Sequence, residues 1–210
     1  MNQKWKVIVK YSGIICAFAV IATLGFRQYQ QERLAETLSE KIIRFHVRAN
    51  SDMPKDQELK LQVRDAVGAY MQQELDGVSD IKESRRILLA DLKQIEARAE
   101  EVVQKQGYAY DVTATLTRVE FPDKVYGDYE FPAGEYEALQ VIIGAGEGQN
   151  WWCVMYPNMC FRGSVYEVVE EDAEESLREV LTAEEYDSIM KSGNFRVKFK
   201  WLSFLNAFLD

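Results

Sequence analysis

The 210-residue chain contains a single histidine, His46. It sits in "IIRFHVRANSDMPKDQELKLQVRDAV" (residues 42–67), just ahead of Asn50, Ser51 and Asp52. A hydroxyl, an imidazole and a carboxylate are the parts of a nucleophilic triad, in which the carboxylate orients the imidazole and the imidazole takes the hydroxyl proton. Those parts work only when they converge within hydrogen-bond reach. Three residues spread over a strand end and the turn after it rarely do. The other reactive groups are Cys153 and Cys160 in "NWWCVMYPNMCF". A Cys153–His46 dyad needs a free thiolate. The chain lacks GxSxG, HExxH, GxxxxGK and the Asp-Thr-Gly or Asp-Ser-Gly signature, and none of its carboxylates is paired in a distinctive way. One histidine without a second CxxC leaves too few ligands for zinc. The residues therefore point away from an enzyme, with no catalytic residue, cofactor, metal or small-molecule substrate expected.

The elements that hold these residues follow from periodicity. In residues 42–48, Ile43, Phe45 and Val47 alternate with Arg44, His46 and Arg48, the pattern of a strand with His46 on the face opposite Phe45. "ANSDMP" turns the chain into a helix, with Ser51 or Asp52 as cap and Pro54 in the first turn. That reading explains Asn50, Ser51 and Asp52 without any chemistry. Leu59, Val63, Ala66, Val67, Tyr70 and Met71 form one apolar face to about residue 75. Leu88, Leu92, Ile95, Ala99 and Val102 form another over 79–106, which Gly107 ends. After Gly107 the period changes to two, giving strands near 108–120, 136–144 and 150–156, with an aromatic-rich loop or short hairpin in "FPDKVYGDYEFPAGE". Gly144, Gly146 and Gly148 imitate a phosphate loop. A strand follows them, however, where a phosphate loop has a helix, so they read as a hairpin turn. The expected fold is α+β: one domain with a mixed or antiparallel sheet packed against two long helices and preceded by an N-terminal apolar helix.

The hydrophobic fraction of 47% is enough for a real core. The net charge of -9 excludes a general affinity for nucleic acid. The N-terminus differs from the rest. Lys4, Lys6 and Lys10 precede an apolar run that ends at Arg27. A spanning helix needs roughly 20 residues and a signal-peptide core about 7–15, so a run over 7–26 reads as an export signal, either cleaved or retained as an anchor. The basic flank places the remainder outside the cytoplasm. In an oxidising compartment Cys153 and Cys160 most simply pair, two buried free thiols being the alternative. The expected organisation is a signal or anchor (1–27), a spacer (28–40), a central domain (41–163), an acidic linker with a short helix (164–187) and a basic-aromatic end (188–210). That end is either an added strand or a segment lying on a membrane or partner.

The strings "FHVRANSD", "DQELKLQVRDAV", "PAGEYEAL" and "NWWCV", in that order behind an export signal, resemble the stage II sporulation protein R family of endospore-forming bacteria over residues 41–163. The resemblance implies an intercellular signal. Such proteins are made in the forespore and exported into the intermembrane space. There they activate a membrane-embedded aspartic protease of the mother cell, which processes pro-sigma-E. On that implication the partners are the receptor protease and, through the N-terminal segment, the membrane. His46, Asn50, Ser51, Asp52, Trp151 and Trp152 become candidate receptor contacts. The alternative is an exported hydrolase acting on cell-wall or peptide substrates.

Overall fold

The computed structural model describes residues 3–157, 159 and 170–190, without the side chains of 3–10, 12–17 and 170–173. A helix, α1 (Gln3–Ser39), runs into β1 (Ile43–Arg48). The chain continues through α2 (Pro54–Glu74), α3 (Ile81–Lys105), β2 (Val112–Phe121), the hairpin β3 (Lys124–Tyr126) and β4 (Tyr129–Phe131), β5 (Gly134–Ile143) and β6 (Asn150–Tyr156). It then forms α4 (Glu170–Val180) and α5 (Ala183–Ile189). The main sheet has the order β2-β5-β1-β6, with β1 parallel to β5 and antiparallel to β6. The fold is thus α+β with a mixed sheet, as expected.

Each face of the sheet has its own cover. Ile43, Phe45 and Val47 of β1 pack with Leu59, Val63, Val67 and Met71 of α2 and with Leu88, Ile95, Ala99 and Val103 of α3. Asp80 caps α3 by accepting from the Lys82 N–H. Arg85 of α3 then grips Glu137 of β5 through Nε, 2.9 Å from both carboxylate oxygens. The opposite face carries a second cluster. In it the end of α1 (Ala35, Leu38), the β3–β4 hairpin (Tyr129, Phe131) and α4–α5 (Leu177, Leu181, Tyr186, Ile189) meet Phe121, Tyr136, Ala138 and Val154. A strand between two apolar layers is buried on both sides, and β1 is buried through Val47.

Two expectations change. Residues 108–111 do not join β2. Tyr108 and Tyr110 stack with ring centroids 5.3 Å apart, and the Tyr110 hydroxyl leaves the sheet to meet Asp56. The stretch read as an acidic linker holds two helices whose Leu177, Tyr186 and Ile189 are buried, with a capping box at Thr182–Glu185 starting the second. Residues 28–40, readable from sequence as a helical continuation or a spacer, continue α1 as a single helix. Among the described residues no helix is long and apolar enough to cross a membrane. In much of the expected anchor, residues 7–10 and 12–17, only the backbone is described, and the C-terminal residues 191–210 lie outside the described set.

Candidate functional site

The turn after β1 is tied to the β5–β6 loop by backbone and side chain together. The Gly148 N–H donates to the Ala49 carbonyl at 2.9 Å, and the Glu147 N–H to the Asn50 carbonyl at 3.1 Å. The Ala145 N–H donates to Asn50 Oδ1 at 2.9 Å, and the Gln149 N–H to Asp52 Oδ1 at 2.8 Å. Lys60 Nζ donates to the Gln149 carbonyl at 3.1 Å from the α2 side. The chains approach so closely that a Cβ at Gly148 would fall on the Ser51 carbonyl, and one at Gly144, whose φ is 56°, on Asn50 Oδ1. The hairpin turn expected here is not formed: β1 lies between β5 and β6, so the glycine loop crosses the end of β1, pressed against the turn, and leads into a strand.

Beneath the turn lies a residue that sequence reasoning passed over. The Asp56 carboxylate is buried in the first turn of α2. It accepts from Asn50 Nδ2 (2.9 Å), Ser51 Oγ (2.6 Å) and the Tyr110 hydroxyl (3.3 Å). Burial alone would raise its pKa, but these three hydrogen bonds and the nearby Lys55 ammonium outweigh burial and lower it. Helix α2 is capped at Met53 without a side-chain bond. Ser51 and Asp52, expected as its caps, are used elsewhere. The only signal for Asp56 in the sequence is an acid in a first helical turn, which the helix dipole explains equally well.

His46 does not meet Ser51 or Asp52. Its Nδ1 faces Asn150 Oδ1 at 3.2 Å, so Nδ1 carries the proton and Nε2 the lone pair. The ring stacks on Trp152 (4.9 Å, 10° between planes) and meets the edge of Phe121 at 5.6 Å. With 2% exposure it has no reach to a partner's surface in this conformation. This corrects its candidacy as a direct contact, because the second layer that covers it comes from residues far along the chain. Trp152 and Trp151 are half-buried. Trp151 lies against Phe45 at 5.7 Å and under the Arg64 guanidinium at 4.9 Å. Asn50, Ser51 and Asp52 spend their side chains on Asp56 and on the β5–β6 loop.

Burial and the neighbouring Arg48 lower the His46 pKa against the opposing Asn150 bond, burial being the largest cause. A base whose folded value lies below its unfolded value stabilises the fold above the unfolded value of about 6.5, and that stability is lost as pH falls toward the folded value. Thermal midpoints of the wild type should therefore decline as pH drops below about 6.5. In His46→Phe, which keeps a ring on Trp152, that part of the decline should vanish while stability at pH 7 stays within about 1 kcal/mol. Parallel pH profiles for the two proteins would refute the assignment.

Arg44, two residues before His46 on the same face, is fully buried. Its Nε donates to the Cys153 carbonyl (3.2 Å) and an Nη to the Tyr126 hydroxyl (3.1 Å). Its guanidinium lies 4.4 Å over Phe121, 4.9 Å from Tyr136 and 5.3 Å from Phe131. Cys153 is disulfide-bonded, and Cys160, its expected partner, lies outside the described residues. Among the described residues no three His, Cys, Asp or Glu side chains stand close enough to hold a metal.

The fold and site together define a mixed-sheet α+β domain whose conspicuous polar residues clamp a turn, a loop and a helix start to one another. The stage II sporulation protein R family model matches residues 39–166. The chain is also 34% identical over 161 residues to the stage II sporulation protein R of Bacillus subtilis (strain 168), covering 73% of this chain and 72% of that protein. The chain belongs to the stage II sporulation protein R family. No solved structure matches it.

Proposed function

We propose that this protein is an exported signal of sporulation. It is made in the forespore and passes into the intermembrane space, where it activates the membrane-embedded aspartic protease of the mother cell that processes pro-sigma-E. The observation that carries the reading is that the matched family region, residues 39–166, spans the whole of the folded sheet and the two long helices, β1 to β6. Within that domain His46, Ser51 and Asp52 each bond a different intramolecular partner. A rigid domain of this kind acts by being bound. Activation then requires that it bind the active, dimeric state of the protease more tightly than the inactive state, since equal affinity shifts nothing. Phe18, Val20, Ile21, Leu24 and Phe26 of α1 are more than half exposed, which supports contact between the N-terminal segment and lipid.

The test is co-expression of the full chain with the protease and its precursor substrate, read as conversion of the precursor. Processing that depends on this chain, and that survives His46→Phe, supports the signalling reading over the hydrolase alternative. Precursor conversion no higher than without the chain would refute it.

A further inference from the structure

The second face of the sheet is covered over only part of its length. By register its residues stand in rows across the strands. One row is Thr117, Ala138, Arg44 and Val154, the next is Thr115, Gln140, His46 and Trp152, and the last is Thr113, Ile142, Arg48 and Asn150. In the first of these Ala138, Arg44 and Val154 are buried under the hairpin and the helices, while Thr117 on the edge strand is exposed. Beyond it the cover among the described residues ends. Thr113 and Arg48 are exposed, and Gln140, Ile142, Asn150 and Trp152 are half-buried. The sheet thus ends in an open floor of mixed apolar and polar groups beside the clamped turn.

The charge of that floor is unlike the chain around it. The protein carries 34 acids against 25 Lys and Arg, yet these three rows contain two guanidiniums and no carboxylate. Among the described residues the Arg44 side chain has no carboxylate in hydrogen-bond contact, and that of the exposed Arg48 donates only to the Gly148 carbonyl, at a long 3.4 Å. The acids beside the rows in the chain are turned away or already bonded: Glu137 binds Arg85, the Asp52 carboxylate accepts from the Gln149 N–H, and Asp111 and Glu147 are exposed outside the rows. A guanidinium whose Nη groups carry no bond among the described residues, one row from a half-exposed indole, suits a carboxylate next to an apolar side chain.

We propose that this open end of the sheet face is the docking surface for an acidic segment of the partner protein, with Arg48 taking a carboxylate and Trp152 and Ile142 taking its apolar neighbour. The inference rests on the signalling reading above and names the surface through which it works. Charge argues against two other occupants. A second copy stacked face to face would bring Arg48 near its own counterpart. The chain's own end, residues 194–210, carries Arg196, Lys198 and Lys200.

The test uses the full chain with a photo-crosslinking amino acid at the exposed position 113, co-expressed with the protease and its precursor. A crosslink from 113 to the protease is expected, together with about tenfold weaker processing by Arg48→Glu and by Thr113→Glu, the scale of losing one charge-assisted contact. Thermal midpoints should be unchanged, because both positions are exposed. Processing without the crosslink, and indifferent to both variants, overturns the surface and leaves the signalling reading standing. A crosslink to this chain's own C-terminal residues or to a second copy also overturns it. If the wild type drives no processing, the signalling reading fails and the surface is judged alone, by the indole N–H resonance of Trp152 on addition of a glutamate-rich octapeptide at low salt. A shift that Arg48→Glu abolishes upholds an acidic-segment site, and no shift sinks it.

Discussion

Arg44→Ala should destabilise the domain by about 3–5 kcal/mol, the range for emptying a large buried site, as read by urea unfolding of the full chain in detergent. Three losses combine. The side chain is fully buried, so its removal opens a cavity between Phe121, Phe131 and Tyr136. The Cys153 carbonyl and the Tyr126 hydroxyl lose a donor, at about 1–3 kcal/mol for each buried group left unpaired. The stacking of a desolvated guanidinium on aromatic faces is lost as well, worth about 2 kcal/mol in favourable cases. Against these stands the cost of burying the cation. Burial is the largest cause acting on Arg44 and lowers its pKa, opposed by Tyr126 and Tyr136, and one Nη has no partner among the described residues. A neutral side chain of similar length avoids that cost, so Arg44→Met should lose about half as much as Ala. Arg44→Lys should fare almost as badly as Ala, because an ammonium cannot lie flat between rings while reaching two acceptors. If Met proves worse than Ala, the charge rather than the packing holds the layer. The residue matters beyond its own energy because it joins β1 to the hairpin, to the disulfide-bearing β6 and to the second core.

Arg44 also marks the limit of what the sequence tells. The apolar stripes of α2 and α3 were legible because local periodicity and caps suffice, and residues 54–74 and 81–105 are helical as expected. The alternation in β1 was legible as a strand with His46 on the face opposite Phe45, but not what covers that face. Whether an arginine faces water or four rings depends on Phe121, Tyr126, Phe131 and Tyr136, which no local pattern places against it. Tyr108 and Tyr110 continue the alternation of β2 while belonging to a stacked pair outside it. The acids of 170–187 concealed the spacing of Leu177 and Leu181, which is enough to seat α4 on the second core. For the site, turn chemistry rightly removed the triad, and burial then removed His46 as a surface contact. Asp56 stayed hidden because its partners come from the turn before it and from Tyr110, 54 residues later.

Asp56→Ala is the sharper test of the clamp, with an expected loss of about 3 kcal/mol, since hydrogen bonds to a charged acceptor are worth about 1.5–3 kcal/mol each and not all of that is realised together. Asn50 Nδ2, Ser51 Oγ and the Tyr110 hydroxyl would all lose their acceptor. Asp56→Asn should recover little. The carboxylate accepts from donors on both oxygens, whereas an amide must turn its NH2 toward one of them and set donor against donor. Ser51→Ala, which removes one donor and leaves the carboxylate with two, should cost only about 1 kcal/mol. The pH dependence runs in one direction. The folded pKa of Asp56 lies below its ordinary value of 3.8, so its contribution is complete above that value and is lost as pH falls through the folded one. Acid unfolding of the wild type should therefore include a component that Asp56→Ala lacks. If the variant instead tracks the wild type through the acid limb at a constant offset, the carboxylate is packed there rather than bonded, and the clamp rests on the backbone pairs of Ala49 and Asn50 with Gly148 and Glu147.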